Sequence, residues 1–385
     1  MLLKEVPNFK SYSNAHFHFA YQSGRVKDGR ENGIISASMV IQAVLLMGVM
    51  GLGSLLALDQ ELRTKLGAAW FGTRNSLSDT TMARSLESMD IDTLRADLYS
   101  TYIIAKAMGK SKFELQTGRR KIGIIDGSGF GKRLASCLEI IGTVSLMVDL
   151  EEMSKKGKEL PAGHRLLLRA KDRLGKGFVD ILLGDGLYFN APFFNLCLKK
   201  LGIDVLVKTD EVRREVIQDA MLLFKSGEYS EDIEFVSGFD IDRAVAYEIK
   251  KCSGFAMTGV AKEVTIAWIS EKNVKGKVTE FWVITTADYL TAKEMRELAH
   301  IRWDIEVNGF KELNQKMQTK HLYSHNANAW MAILLILFMA FNILEEFIHQ
   351  LQEEIYKLYP GIKRTRKFLI KRVRQWIRDT SYNFP

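Results

Sequence analysis

The sequence predicts a mixed α/β protein: a mixed sheet flanked by helices, with a helical N-terminal region and an antiparallel β segment interrupting the second half. Three observations carry that expectation. Apolar residues fall at helical spacing over roughly the first 115 positions. Beyond them, short apolar runs and amphipathic stretches follow in the order strand, strand, helix, strand, helix, strand. From 212 to about 280, strand-like runs succeed one another with polar turns between them.

Composition bounds the function. The 385 residues give a prior of two or three domains, and 47% apolar residues are ample for a core. With 26% charged residues and only five prolines, bulk disorder is excluded. A net charge of +8 points to a polyanionic partner, nucleic acid before membrane. Cys137, Cys197 and Cys252 are few, odd in number and far apart, with neither a zinc nor a disulfide pattern, which suits a reducing cytoplasm. The opening MLLKEVPNFKSY has no apolar signal core.

In chain order, Ser76 and Ser78 are candidate N-caps for the helical text that follows them. The first strand is KIGIIDGSGFG, and CLEIIGTVSLMVDLEEM reads as one or two more. The basic helix HRLLLRAKDRLG, the strand VDILLGDGLYF, the helix APFFNLCLKKLG and the strand IDVLVKTDE come next. IEFVSGFDI, AVAYEIKKC, EVTIAWISE and TEFWVITTAD are the antiparallel strands, with NVKGKV as a hairpin loop. Helices return at Thr291. Two long apolar stretches, 35–58 and 329–344, invite a membrane reading. Buried core helices look the same, and that is the expectation for both. From Gly361 the tail holds eight Lys or Arg against one Asp, interleaved with Phe368, Leu369, Val373 and Trp376. It reads as a basic amphipathic helix that either binds polyanion or packs its apolar stripe on the body.

Three acids stand out. Asp126 closes the apolar run Ile122–Ile125, and Asp185 closes DILLG. An Asp before Gly can simply make a turn. Two matched ones, on strands that neighbour each other, would converge and repel unless a cation lay between them, and a hard divalent metal fits. Glu306 is the third, four residues after Arg302 on one helical face. Two metals held by such acids suit in-line phosphoryl transfer without a side-chain nucleophile. No G-x-S-x-G, Walker A or paired zinc histidines compete with that chemistry. His321 and His325 read as surface or DNA-facing.

IDGSGFGK, LLGDGLYFNAPFFNLCLKKLGIDVLVKTDE and WVITTADYLTAKEMRELAHIRWDIEVNGFKELNQ resemble, in order, the three signature regions of DDE transposases of bacterial insertion sequences. The resemblance covers roughly residues 115–345 and implies a ribonuclease-H-like core with a β-rich insertion before the last acid. It places the family's catalytic, metal-holding acids on Asp126, Asp185 and Glu306. In the family's pattern of Tyr, Arg, Glu and Lys, Arg302 and Glu306 fit, while Ala299 and Leu313 stand at the Tyr and Lys positions. Lys311 and Lys316 are the nearby lysines.

The implied organisation is a helical DNA-binding region (1–115), a catalytic core in two parts (116–211 and 291–350) around the insertion (212–290), and a basic tail (351–385). The implied activity is cut-and-paste transposition: binding of terminal inverted repeats, strand hydrolysis and strand transfer with Mg²⁺ or Mn²⁺, two ions, by a homodimer on double-stranded DNA. The implied location is the cytoplasm, at the nucleoid and without a membrane. Arg302, Lys311, Lys316 and the tail residues Lys363, Arg364, Arg366 and Lys367 are DNA-binding candidates. Trp268 and Trp282 are candidates for stacking on an unpaired base, although ordinary strand packing is the favoured reading of each. Two other readings stand beside this one: a catalytically inactive, transposase-derived DNA-binding protein, and a structure-selective metal-dependent nuclease.

Overall fold

Strand residues that alternate between two hydrophobic faces build one nine-stranded sheet with helices on both sides. The computed structural model describes residues 8–31, 33–71, 77–226, 230–304, 313–314, 316–358 and 366–380. The chain opens with helices α1 (Phe9–Phe17), α2 (Phe19–Arg25), α3 (Ala37–Met50), α4 (Leu55–Leu62), α5 (Lys65–Phe71), α6 (Asp79–Glu87) and α7 (Ile91–Ala107). Side chains of Asn8, Ser36, Ser54, Ser78 and Asp90 accept backbone N–H groups at their starts. Ser78 is thus the cap expected from sequence, and Ser76 lies outside the described residues.

A small hairpin, β1 (Phe113–Leu115) and β2 (Gly118–Arg120), precedes the main sheet. The sheet's strands are β3 (Ile122–Phe130), β4 (Arg133–Ile141), β5 (Ser145–Glu152), β6 (Ile181–Gly184), β7 (Asp204–Thr209), β8 (Glu234–Asp240), β9 (Val245–Phe255), β10 (Val264–Asn273) and β11 (Val278–Thr285). Their order is β5-β4-β3-β6-β7-β11-β10-β9-β8. The run 137–153 is therefore two strands, turning between Ile141 and Ser145. The four antiparallel strands do not form a sheet of their own. β11 pairs with β7 from Trp282↔Thr209 to Thr285↔Leu206, so they extend the core sheet.

Helices α8 (Glu159–Leu174), α9 (Ala191–Asn195, running on as a π-helical turn to Leu201) and α10 (Glu215–Ser226) cover one face. There they meet Ile125, Leu182, Val205, Val207 and Ile284. Ile122, Ile124, Ile181, Leu183, Leu206 and Val283 point the other way, towards α3, α11 (Ala292–Asp304) and α12 (Ala327–Leu358). The period-two alternation of strands produces this division directly.

α12 runs through that second layer against α3, α6, α7 and β5. At its middle the buried Asn342 carboxamide accepts from Met147 N (2.8 Å) and donates to Met147 O (2.7 Å) and Thr101 Oγ1 (2.8 Å). One polar side chain thereby joins α12 to β5 and α7. α12 is long and apolar enough to cross a membrane, but 94% of its most apolar window is buried inside the protein. The stretch 35–58 is divided between α3 and α4, whose axes bend by 99°. The tail forms α13 (Arg366–Thr380), which buries Leu369, Ile370, Val373 and Ile377 against the body.

Candidate active site

The parallel ladder between β3 and β6 pairs Ile122 with Ile181 and ends at Ile124↔Leu183. Asp126 and Asp185 each lie two residues further on, so they are level with one another and on the same face as Ile124 and Leu183. One expectation needs correction here. Asp126 does not close its strand: β3 continues to Phe130, paired with β4 down to Phe130↔Arg133. What ends at Ile124 is only the pairing towards β6, because β6 stops at Gly184. The gap between the two strands opens where the carboxylates sit.

Arg302, in the last turn of α11, fills the space between them. Its Nη2 lies 3.3 Å from Asp126 Oδ1 and 3.4 Å from Asp185 Oδ2. Asp126 and Arg302 are buried, and Asp185 is more open, with a side chain 37% exposed. Asp126 Oδ1 also accepts from Gly127 N (2.9 Å), and Asp185 Oδ1 accepts from Leu187 N (2.9 Å). Asp185 therefore caps the 3₁₀ turn Gly186–Tyr188 while facing the arginine.

A residue absent from the sequence reading borders this pair. Glu159, at the start of α8, comes from the opposite face of the sheet. A Cβ on Gly127 would stand 2.3 Å from Glu159 Oε2, so any larger residue there would have to displace the glutamate's tip. Tyr188 Oη donates to Glu159 Oε1 at 2.9 Å. Burial pushes the Glu159 carboxyl up; the Tyr188 hydrogen bond opposes this, nearby Asp185 adds to it, and Arg302 and the Gly127 amide oppose it.

A family model described as "Transposase DDE domain" matches residues 142–343, just over half of the chain. The chain belongs to the DDE transposase family. The matched span begins after Asp126 and includes Asp185 and Glu306. A search of curated proteins finds no match. Transposases of this family generally use divalent metal ions. The donor chemistry here fits such an ion, since two hard carboxylates already converge on one cation, the Arg302 guanidinium. Among the described residues no three potential ligand side chains cluster together; Glu306 and Lys311 lie outside them.

The transposase's other candidate residues are spread more widely. At the family's Tyr and Lys positions, Ala299 and Leu313 are fully buried. His300, next to the former, is held by Glu271 (Nε2 to Oε1, 2.7 Å), which also pairs with Arg296. Lys316 is part-buried, and its carbonyl accepts from Arg374 Nη2 at 2.5 Å. Trp282 is buried and stacks on Phe224 with rings 6.2 Å apart, while Trp268 carries Lys250 Nζ over its ring at 5.9 Å. In the tail, Arg366 pairs with the buried carboxylate of Glu345, and Lys367 is exposed. Lys363 and Arg364 lie outside the described residues. His321 and His325 are exposed.

Proposed function

We propose that this transposase cuts the ends of its DNA element and joins them to target DNA, using Asp126, Asp185 and Glu306 to hold two Mg²⁺ or Mn²⁺ ions. The observation that supports it most is the level pairing of Asp126 and Asp185 at the end of the β3–β6 ladder, with Arg302 between them. When bound, the ions supply activation of the attacking oxygen and stabilisation of the leaving one. The protein's part is positional. Strand pairing fixes Asp126, and the 3₁₀ turn fixes Asp185. In this reading Arg302 takes the scissile phosphate, for which a guanidinium fork is suited. The +8 charge supports double-stranded DNA as partner, at inverted repeats and as a homodimer in our reading.

The test is strand cleavage of labelled duplex from the DNA flanking the gene, in Mn²⁺. Asp126→Asn, Asp185→Asn and Glu306→Gln are each expected to abolish cleavage and keep DNA binding within a few-fold. A mutant that cleaves like wild type removes its residue from the cation site. Arg302→Ala is expected to weaken binding of the scissile phosphate and steepen the Mg²⁺ dependence. One observation favours a second reading: Leu313, buried where the family carries lysine, is compatible with a DNA-binding descendant that does no chemistry. Binding without cleavage by the wild type would select that reading.

A further inference from the structure

Glu159 lies in neither strand that carries the acids, yet it touches both acid-bearing segments. Its Oε2 packs against Gly127, the residue after Asp126, at a distance that a Cβ would reduce to 2.3 Å. Its Oε1 accepts from Tyr188, three residues after Asp185, at 2.9 Å. Tyr188 is itself fully buried, packed on Phe193 with ring centroids 4.7 Å apart. A Cβ on Gly184 would come within 3.1 Å of the Tyr188 side chain, and one on Gly163 of α8 within 3.2 Å of its hydroxyl. Glycines on β3, β6 and α8 thus leave the room through which Glu159 and Tyr188 meet. An acid in the first turn of a helix ordinarily faces solvent and gains a little from the helix dipole. This one is half-buried and reaches the edge where β3 and β6 part.

We propose that Glu159 is a positioning residue of the transposase: it ties the Asp126 and Asp185 segments together from behind the sheet, and its charge strengthens the cation site they form. The inference rests on the reading of Asp126 and Asp185 as cation-holding acids. Groups in this outer layer orient ligands and tune affinity without touching the ion.

The experiment uses the full chain. Mn²⁺ binding is measured by calorimetry without DNA, and the Mn²⁺ dependence of cleavage is measured on labelled duplex from the DNA flanking the gene. Wild type is compared with Glu159→Gln, Tyr188→Phe and Asp185→Asn. Glu159→Gln keeps the size and the acceptor for Tyr188 and removes the charge. It is expected to weaken Mn²⁺ binding about tenfold and to raise the half-maximal Mn²⁺ for cleavage by the same factor. The maximal rate at saturating Mn²⁺ and the DNA affinity are expected to stay near wild type, a split that simple structural damage would not produce. Tyr188→Phe keeps the charge but frees the carboxylate, and is expected to shift both readouts in the same direction. Wild-type Mn²⁺ affinity in Glu159→Gln, with Asp185→Asn defective, overturns the inference and leaves the site intact. Wild-type Mn²⁺ binding and cleavage in Asp185→Asn overturns the site reading and the inference with it. If Glu159→Gln loses the cooperative melt of wild type, Tyr188→Phe decides, and wild-type affinity there overturns the proposal.

Discussion

Asp185 uses its two carboxylate oxygens differently. Oδ1 accepts from Leu187 N and makes the turn; Oδ2 faces Arg302. One carboxylate therefore makes the local turn and at the same time faces a cationic side chain. Gly127 carries the sharper consequence. Gly127→Ala is expected to push the Glu159 carboxylate and the Met153 methyl, 2.8 Å from the new Cβ, away from β3. The chain is expected to fold, with thermal stability lowered by about 1–3 kcal/mol for the overpacked methyl and weaker Mn²⁺ binding. Unchanged melting and Mn²⁺ affinity would show that the contact relaxes freely. At this scale the convergence of Asp126 and Asp185 was legible because apolar runs ending on acids are a local pattern, and Arg302 because it stands four residues before Glu306 on one helical face. Glu159 was not, since KKGKEL looks like any charged entry to a helix. Only the packing of α8 on the sheet brings it beside Gly127.

At the scale of elements, α12 combines an apolar run with acids that composition alone would leave in solvent. The run 329–344 reads as a buried helix, but its continuation to Leu358 is hidden by Glu345 and Glu346. Both are buried. Burial raises the Glu346 carboxyl to about 7, with Lys110 opposing and Glu353 adding to the shift. In the unfolded chain a glutamate titrates near ~4.3. The folded state thus keeps a proton that the unfolded state releases. The full contribution of Glu346 to stability is present below about pH 4 and is lost as pH rises towards about 7. Glu346→Gln is expected to match wild type in urea unfolding at pH 4 and to exceed it at pH 8, by on the order of 3 kcal/mol. Equal stabilities at pH 8 would mean that the buried carboxylate finds compensation when it ionises. α13 is read at the same scale. Its alternation of basic and apolar residues left two outcomes open, and its buried stripe shows packing on the body. Ile370→Ala is expected to cost about 2–5 kcal/mol in the same assay. A loss below about 1 kcal/mol would mean that the helix detaches readily in solution.

For the whole molecule, packing crosses the boundaries drawn from sequence, and the one at 350 falls inside α12. The β-rich stretch joins the core sheet through β11 and β7, and residues of α3, α6 and α12 share one hydrophobic cluster with β3 and β6. Such joints are set by contacts far apart in the chain, which local periodicity cannot display. One of them has a consequence for how the protein is made. The N-terminal helices acquire their main partner, α12, only after 326 residues have been synthesised. Until that segment leaves the ribosome, the apolar faces of α3 and α7 that pack on α12 lack that partner, although α2 already lies against α3 and β5 against α7. A nascent chain stopped before Ala327 is therefore expected to be degraded or bound by chaperones, and to yield no surviving N-terminal fragment. Limited proteolysis of ribosome-bound chains halted at 326 and at 385 would show this, with protection of the N-terminal helices appearing only in the longer one.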